Sequence, residues 1–475
     1  TPKPSSAASD VYKRQPQNAI EMGTLGSTRI ASTYYQVKVG GDAAALKGIM
    51  KALLAADRRA PGAIDHAFIA EHTNGFDAYI EDLDNTAWAD IEQACGLTQA
   101  DLEQVAAAYA KSKAAIVTYG MGITQHARGT QNVQQIAALL LMRGNFGRPG
   151  AGICPLRGHS NVQGNRTVGI TEKIDPVMFD NIEKTFGFRP PERHGHDAVD
   201  AMKAMASGYT RVLICLGGNL AMALSDTERC EAGMRRLQLA VHMNTKLNRS
   251  HLMIGRDAII LPVLGRTESD VQATGAQSVT VEDSMSMVHA SRGKLAPASE
   301  YLRSEPAIIA GMAAATLPHT RVQWHYLVED YGRIRDLIAK VYPDFRGYNE
   351  RILKPGGFRL PLPPTERVWK TKSGKAEFLP FKGLQEDPGA VESGSLKLTT
   401  LRSHDQYNTT IYGLDDRYRG VFGQRRVVFI HAEDIRALGF RDGDWVDILT
   451  VWDDGQERRA DRFKLVAYDL SLIHI

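Results

Sequence analysis

The chain has 475 residues, 43% hydrophobic and 23% charged, the balance of ordinary globular protein, with length for about two or three domains. The formal charge is +3, of which Lys3, Lys13, Arg14 and Asp10 account for +2, so there is no basic footprint for nucleic acid. No apolar run is long enough to span a membrane, and Cys95, Cys154, Cys215 and Cys230 form no C-x-x-C pair, which disfavours a structural zinc site or an iron–sulfur cluster built from these residues. So few cysteines fit reduced thiols in a cytoplasm-like compartment.

Both ends differ from the rest. Ser5–Gln15 reads as a translated transposon sequencing adapter, and Leu470–Ile475 as the reverse complement of the same adapter end. Residues 1–15 and 470–475 are therefore set aside as non-native, and Pro16–Asp469 is expected to be an internal piece of a longer protein.

Tyr34–Asp42 reads as a strand fragment and turn, and Ala43–Ala56 carries helical apolar spacing. Leu97 leads into a helix with Thr98 as N-cap and Asp101 at the capping-box position, running to about Ser112. Ala114–Tyr119 is a short apolar strand, followed by Gly120-Met121-Gly122 and a helix from Gln131 to Met142. The pattern recurs. Arg211–Leu216 is a strand with Gly217-Gly218-Asn219 as its turn, Leu237–His242 a third strand and Asp257–Pro262 a fourth. Apolar strands alternating with helices predict an α/β fold with a doubly wound, mainly parallel sheet. From about Leu396 the texture changes. Strands are expected at Lys397–Leu401, Val427–His431 and Trp445–Val451, separated by turns at Arg441–Asp444 and Asp453–Gly455. This reads as a separate β-rich, barrel-like domain approached through Pro355–Pro364.

Glycines at a strand end let backbone N–H groups approach a phosphate, and ligands of open α/β sheets lie outside the carboxyl ends of strands. Gly120-Met121-Gly122 and Gly217-Gly218-Asn219 occupy such places, although each is also explained by a tight turn. Neither is the full G-x-G-x-x-G pattern, so ordinary NAD binding is not indicated. Gly144–Gly164 is dense in glycine and presents Arg157, His159, Asn161 and Gln163 together. Such a loop is costly to order, which points to function; the plain alternative is an irregular connection whose polar groups satisfy one another.

Tyr119–Gln125, Gly144–Gly150 and Arg157–Gly164 together resemble the molybdopterin oxidoreductase family, and within it the formate dehydrogenase-like alpha (catalytic) subunit branch. Leu216–Asn219, Thr245–Ser250, Ile260–Pro262, Ser373–Phe378 and Arg402–Thr410 extend the likeness, in order, over essentially all of Pro16–Asp469.

The resemblance implies a molybdenum or tungsten atom held by two molybdopterin guanine dinucleotides. It also implies a [4Fe–4S] cluster in the full-length protein, whose ligands, like any protein ligand to the metal, lie outside this chain. On this basis residues 16–112 end a first cofactor-binding α/β region, 113–365 form the molybdopterin-binding α/β domain, and 366–469 form a truncated dinucleotide-binding β-barrel-like domain. Arg157 matches the active-site arginine of formate dehydrogenases, and a guanidinium can grip a carboxylate with paired hydrogen bonds. His159 stands where the family often has glutamine, and could orient substrate, relay a proton or simply hydrogen-bond. Gly120, Met121, Gly122, Gly217, Gly218 and Asn219 would line the phosphate or pterin path, and Thr245, Lys246 and Arg249 match the segment near one dinucleotide. Arg402, Ser403, His404, Tyr407, Asn408 and Thr409 would bring the β domain onto the second. No residue of the chain is assigned to the metal; burial is expected for Cys154 and Cys215, and Thr280–Ser284 with Ser286 could support the substrate funnel, against which stands plain solvation of the acidic pair Glu282-Asp283.

The implied activity is two-electron oxidation of a small, formate-like substrate, with an electron-acceptor protein or subunit as partner and the isolated chain inactive. Two alternatives stay open: a reductase or dehydrogenase for another small substrate, and a non-catalytic family member acting in assembly or electron transfer. A simple nucleotide-binding module is a further competing reading.

Overall fold

Alanine and leucine recur at helical spacing from Asp42 to Arg59, and this stretch forms helix α1 in the computed structural model. The structure describes the chain apart from residues 1–13, 16, 25–27, 385–394, 397, 401–402, 404–405, 408–410, 417–418, 453 and 469–475. Contacts divide it into two compact units, residues 1–154 with 363–475, and residues 155–362.

In the first unit, Asp42 in the first turn of α1 and Arg58 and Arg59 in its last turn complement the helix dipole. Helices α2 (Phe76–Asn85), α3 (Trp88–Cys95), α4 (Gln99–Lys111) and α5 (Gly129–Met142) follow, with strand β1 (Ile116–Tyr119) before α5 and β2 (Gly152–Pro155) after it. The capping box predicted at Thr98 and Asp101 starts α4, and Ser112 ends it. Met50, Leu53 and Leu54 of α1 bury against Tyr79 and Leu83 of α2 and Leu139 and Met142 of α5. Gly48 lets α4 come close, since a Cβ there would lie 2.6 Å from Leu102 Cδ1.

Lys47 is the exception in this apolar interface. It is 2% exposed, its Nζ donates to Phe381 O at 3.1 Å, and it lies 2.7 Å from Asp82 Oδ2. The latter contact is an ion pair without a directed hydrogen bond. A buried ammonium is tolerated only when paired in this way.

The second unit contains the predicted parallel sheet. Strands β3 (Val212–Leu216), β4 (Leu239–Asn244) and β5 (Asp257–Pro262) pair side by side, with Val212 opposite Leu239 and Leu239 opposite Asp257. Helices α6 (Ala198–Ala206) and α7 (Thr227–Arg235) pack Met202, Met205, Cys230 and Met234 against Ala240 and Leu213. On β3, Val212, Ile214 and Leu216 alternate with Leu213 and stay about half exposed, so they belong to the opposite face. The hairpin of β6 (Val279–Glu282) and β7 (Met287–Ser291) sits over an aromatic cluster of Phe345, Tyr348 and Phe358.

Beyond residue 396, β8 (Val427–Ile430), β9 (Trp445–Thr450) and β10 (Arg458–Ala467) form a mixed sheet with β10 in the centre. The charged run Arg458–Arg462 hides β10 from a pattern search. Only its later half, Lys464–Ala467, pairs with β8, and its earlier half is exposed and lies along β9.

Several expectations are corrected. Tyr34–Asp42 joins no strand ladder, although Lys38 N bonds Cys95 O at 2.9 Å. Residues 398–400 are not in a strand, and 397 and 401 lie outside the described residues. The first apolar strand pairs with Gly152–Pro155, and is not in the same sheet as β3. Cys154 and Cys215 are half-buried, whereas Cys95 and Cys230 are buried.

Replacing Lys47 by Met should remove the ammonium and leave Asp82 and Phe381 O short of a donor. We expect a loss on the order of 3 kcal/mol, reduced somewhat because Asp82 keeps contact with water. Urea unfolding checks this; an unchanged midpoint would show that the pair is not holding the α1–α2 interface.

Candidate functional site

The carboxyl ends of β3 and β4 lie at one edge of the parallel sheet, and their following turns are tied together. Gly217 leaves β3 with φ +68°, a left-handed conformation that favours glycine, and its N–H donates to Met243 O at 2.7 Å. A Cβ on Gly218 would meet nothing within 4 Å, so its backbone is open to a ligand. Asn248 Nδ2 donates to Gly218 O at 3.1 Å, and Ser250 Oγ donates to Asn219 Oδ1 at 3.2 Å. Thr245 and Lys246 are exposed beside this junction. Arg249 is also exposed, but it pairs with Glu231 at 2.6 Å, which engages much of its charge. Glu305 completes this edge: its carboxylate would lie 3.8 Å from a Cβ on Gly217, and burial raises its pKa above the usual carboxylate range.

Two histidines support the second turn. His251 Nδ1 accepts the Asn248 N–H at 2.8 Å, and the ring stands 4.9 Å from that of His242 in an edge-on arrangement. His242, beside Cys215 on β3, is fully buried, and neither ring nitrogen has a hydrogen-bond partner among the described residues. Burial first, and His251 second, hold its pKa below the ordinary histidine value.

The first unit carries the other glycine turn. Gly120 and Gly122 follow β1, and a Cβ on either would meet nothing within 4 Å. Met121 begins a short helix, Met121–Thr124, and Asn132 Nδ2 of α5 donates to Ile123 O at 3.1 Å. Gly129 permits this closeness, since a Cβ there would lie 2.2 Å from Thr124 O.

The glycine-rich segment divides into two parts. Gly144–Gly150 is structural. Asn145 is fully buried, donates to Tyr109 Oη at 2.7 Å, and accepts from Ala115 N at 3.2 Å and from Arg148 at 2.7 Å. Residues 156–160 are exposed, so Arg157 and His159 stand on the surface of the second unit. The next residues anchor this loop. Asn161 Oδ1 accepts the Glu282 N–H at 3.0 Å, and Gln163 Nε2 donates to Glu282 Oε1 and Ser286 Oγ, both at 2.9 Å. Gly164 has no room for a side chain, because a Cβ would lie 2.1 Å from Asn161 Oδ1. The expected solvation of the acidic pair is corrected. Glu282 is 6% exposed, with Oε2 lacking a partner among the described residues, and Asp283 pairs with His289 at 2.9 Å. A period-2 reading would have found this, since Thr280 and Glu282 share a face and Thr280 bonds the buried Tyr348.

Arg402, His404, Asn408 and Thr409 lie outside the described residues, as does the side chain of Tyr407. Ser403 Oγ accepts from Arg425 at 3.2 Å, and Arg425 also reaches Gln406. Arg425 is a site neighbour that no sequence motif marked. Among the described residues, no three His, Cys, Asp or Glu side chains converge as a metal site, and no helix is long and apolar enough to cross a membrane.

The molybdopterin oxidoreductase family model matches residues 9–268, and the molydopterin dinucleotide binding domain model matches residues 396–459. The chain is 53% identical to protein YdeP of Escherichia coli over 463 residues, covering 96% of this chain and 61% of that protein. It is 47% identical over 446 residues to an uncharacterized oxidoreductase of Mycobacterium tuberculosis, covering 92% of this chain and 57% of that one. A putative formate dehydrogenase of Staphylococcus aureus is 32% identical over 219 residues, 44% of this chain and 22% of that protein. The chain thus spans less than two thirds of the length of these curated relatives. Among solved structures, acetylene hydratase from Pelobacter acetylenicus has the same fold, with a TM-score of 0.62 at 15% identity over 92% of this chain and 63% of that one.

His242 generates a pH prediction. Its folded pKa is depressed, so the stability tied to its neutral form is complete above the ordinary histidine value and is lost as pH falls below it. We expect the second unit to melt at progressively lower temperature from about pH 7 to pH 5, and His242→Leu to flatten that slope. Identical slopes in calorimetric scans of the two proteins would count against the assignment.

Proposed function

Because the chain belongs to the molybdopterin oxidoreductase family, we propose that it is part of an enzyme oxidising a small substrate, formate foremost, by two electrons. The metal would be molybdenum or tungsten held by two molybdopterin guanine dinucleotides. The observation that carries this reading is the tied pair of turns at the carboxyl ends of β3 and β4. There Gly217, its own N–H held by Met243 O, turns the backbone through the left-handed region, so the unobstructed Gly218 backbone can approach a phosphate without a side chain intervening. The open backbones of Gly120 and Gly122 fit the same purpose.

The cofactor, when bound, supplies the redox chemistry. The chain supplies positioning and charge. Gly217, Gly218, Asn219, Thr245 and Lys246 would hold one dinucleotide, with the Lys246 ammonium at a phosphate and Arg249 steadied by Glu231. Ser403, Tyr407 and their neighbours would hold the other. Arg157 would grip the substrate carboxylate and stabilise charge developing on it. The loop bearing it is anchored at Asn161 and Gln163. His159 would orient the substrate or accept its proton. A substrate other than formate is the second reading, favoured by a histidine where the family often has glutamine. A [4Fe–4S] cluster, an electron-acceptor partner and a cytoplasmic setting complete the proposal for the full-length protein.

The test uses the full-length protein. Acid release should yield GMP together with molybdenum or tungsten, and formate should reduce an artificial electron acceptor. Arg157→Lys should lower kcat/KM for formate by roughly a hundredfold, because an ammonium cannot make the paired contact. GMP content should not change. Metal and GMP without formate turnover would transfer the reading to another substrate; absence of both would overturn it.

A further inference from the structure

One hydrogen bond at the tied turns fixes more than a distance. Ser250 is fully buried. Its Oγ accepts the backbone N–H of Ala221 at 3.1 Å, and a backbone N–H can only donate. The hydroxyl proton is therefore free to be given to Asn219 Oδ1, 3.2 Å away. A side-chain amide whose oxygen is engaged in this way turns its NH2 group elsewhere. Asn219 is half-buried, and its Nδ2 has no partner among the described residues.

The surrounding bonds hold Ser250 and Asn219 in register. Ser250 N donates to Asn248 Oδ1 at 2.9 Å, and Asn248 Nδ2 donates to Gly218 O at 3.1 Å. Asn248 thus uses its acceptor on one turn and its donor on the other, so neither turn shifts alone. Gly217 N to Met243 O, at 2.7 Å, ties the same turn to the end of β4.

We infer that Ser250 is a positioning residue that sets the polarity of the Asn219 amide, so that its NH2 donors face the cleft at the carboxyl ends of β3 and β4 and bind a phosphate oxygen of a nucleoside diphosphate moiety. Without the Ser250 hydroxyl, the amide can rotate and present its carbonyl oxygen to the phosphate, which is repulsive. Ser250 is buried, and both bonds of its hydroxyl end on the turn that carries Asn219, one on the Asn219 amide and one on the Ala221 N–H two residues on, so it acts through the presentation of Asn219. The inference rests on the reading of this edge as a dinucleotide site and adds the residue that decides which way its donors point.

A double-mutant cycle tests it, with GDP as the probe and calorimetry on the full-length apoprotein as the readout. Ser250→Ala and Asn219→Ala should each raise the Kd by about tenfold, the loss of one good charge-assisted hydrogen bond. The double variant should bind no worse than Asn219→Ala, because the Ser250 hydroxyl, through its bonds to Asn219 and to the Ala221 N–H, serves only to present the Asn219 amide. Losses that add would overturn the inference and make Ser250 a general support of the fold. Asn219→Asp covers the case in which Ser250→Ala does not fold. It keeps the bond from Ser250 but replaces the NH2 by a carboxylate oxygen, and it should abolish GDP binding. Wild-type affinity in Asn219→Asp would overturn the inference while leaving the dinucleotide reading intact. A wild-type protein that binds no GDP would overturn that reading, and this inference with it.

Discussion

A parallel ladder brings the carboxyl ends of all its strands to one edge, and the second unit depends on that constraint. β3, β4 and β5 pair in register from Val212, Leu239 and Asp257, so Gly217 and the segment from Thr245 emerge side by side. The sequence separates Gly218 from Asn248 by thirty positions, and the ladder brings them within a hydrogen bond. The ladder itself is held by burial. Met202, Met205, Cys230 and Met234 cover the face containing Leu213 and Ala240, and removing that apolar area from water at about 25 cal/mol per Å² is what keeps the short strands aligned.

Buried polar groups divide into two kinds. Asn145 has its hydrogen bonds satisfied and stabilises one loop geometry, and Lys47 does the same at a helix interface through Asp82 and Phe381. Glu282 and His242 are different: one carboxylate oxygen and both imidazole nitrogens are buried without partners among the described residues. Leaving such atoms unpaired costs about 1–3 kcal/mol each. Glu282 adjoins the anchored loop that carries Arg157, and His242 packs on His251 under the turn that carries Lys246. These two groups thus adjoin segments proposed to bind ligand, where local energy is spent on geometry rather than stability.

Much of the first unit was legible because its signals are local. The Thr98–Asp101 capping box needs four consecutive residues, and it starts α4 at the expected place. The apolar strands at 212–216 and 257–262 were found within a residue, because both are short runs rich in Val, Ile and Leu bounded by turn residues. Tyr34–Asp42 has the composition of a strand but joins no ladder among the described residues, and pairing is a tertiary event. β10 was missed for the opposite reason: its charges are solvated along β9, while only its last residues pair with β8. The glycine-rich segment was recognised as unusual, yet composition could not separate the structural half around Asn145 from the exposed half around Arg157.

By itself the sequence determined the α/β class, the glycine turns at strand ends, and the family to which its ordered motifs point. These depend on residue type and on spacing along the chain, both of which are fixed before folding. The tertiary structure alone decided that Glu282 is buried, that Arg249 is committed to Glu231, and that the Ser250 hydroxyl donates to the Asn219 amide oxygen. The direction of a hydrogen bond depends on which donors and acceptors meet once water is excluded, and no local pattern encodes that meeting.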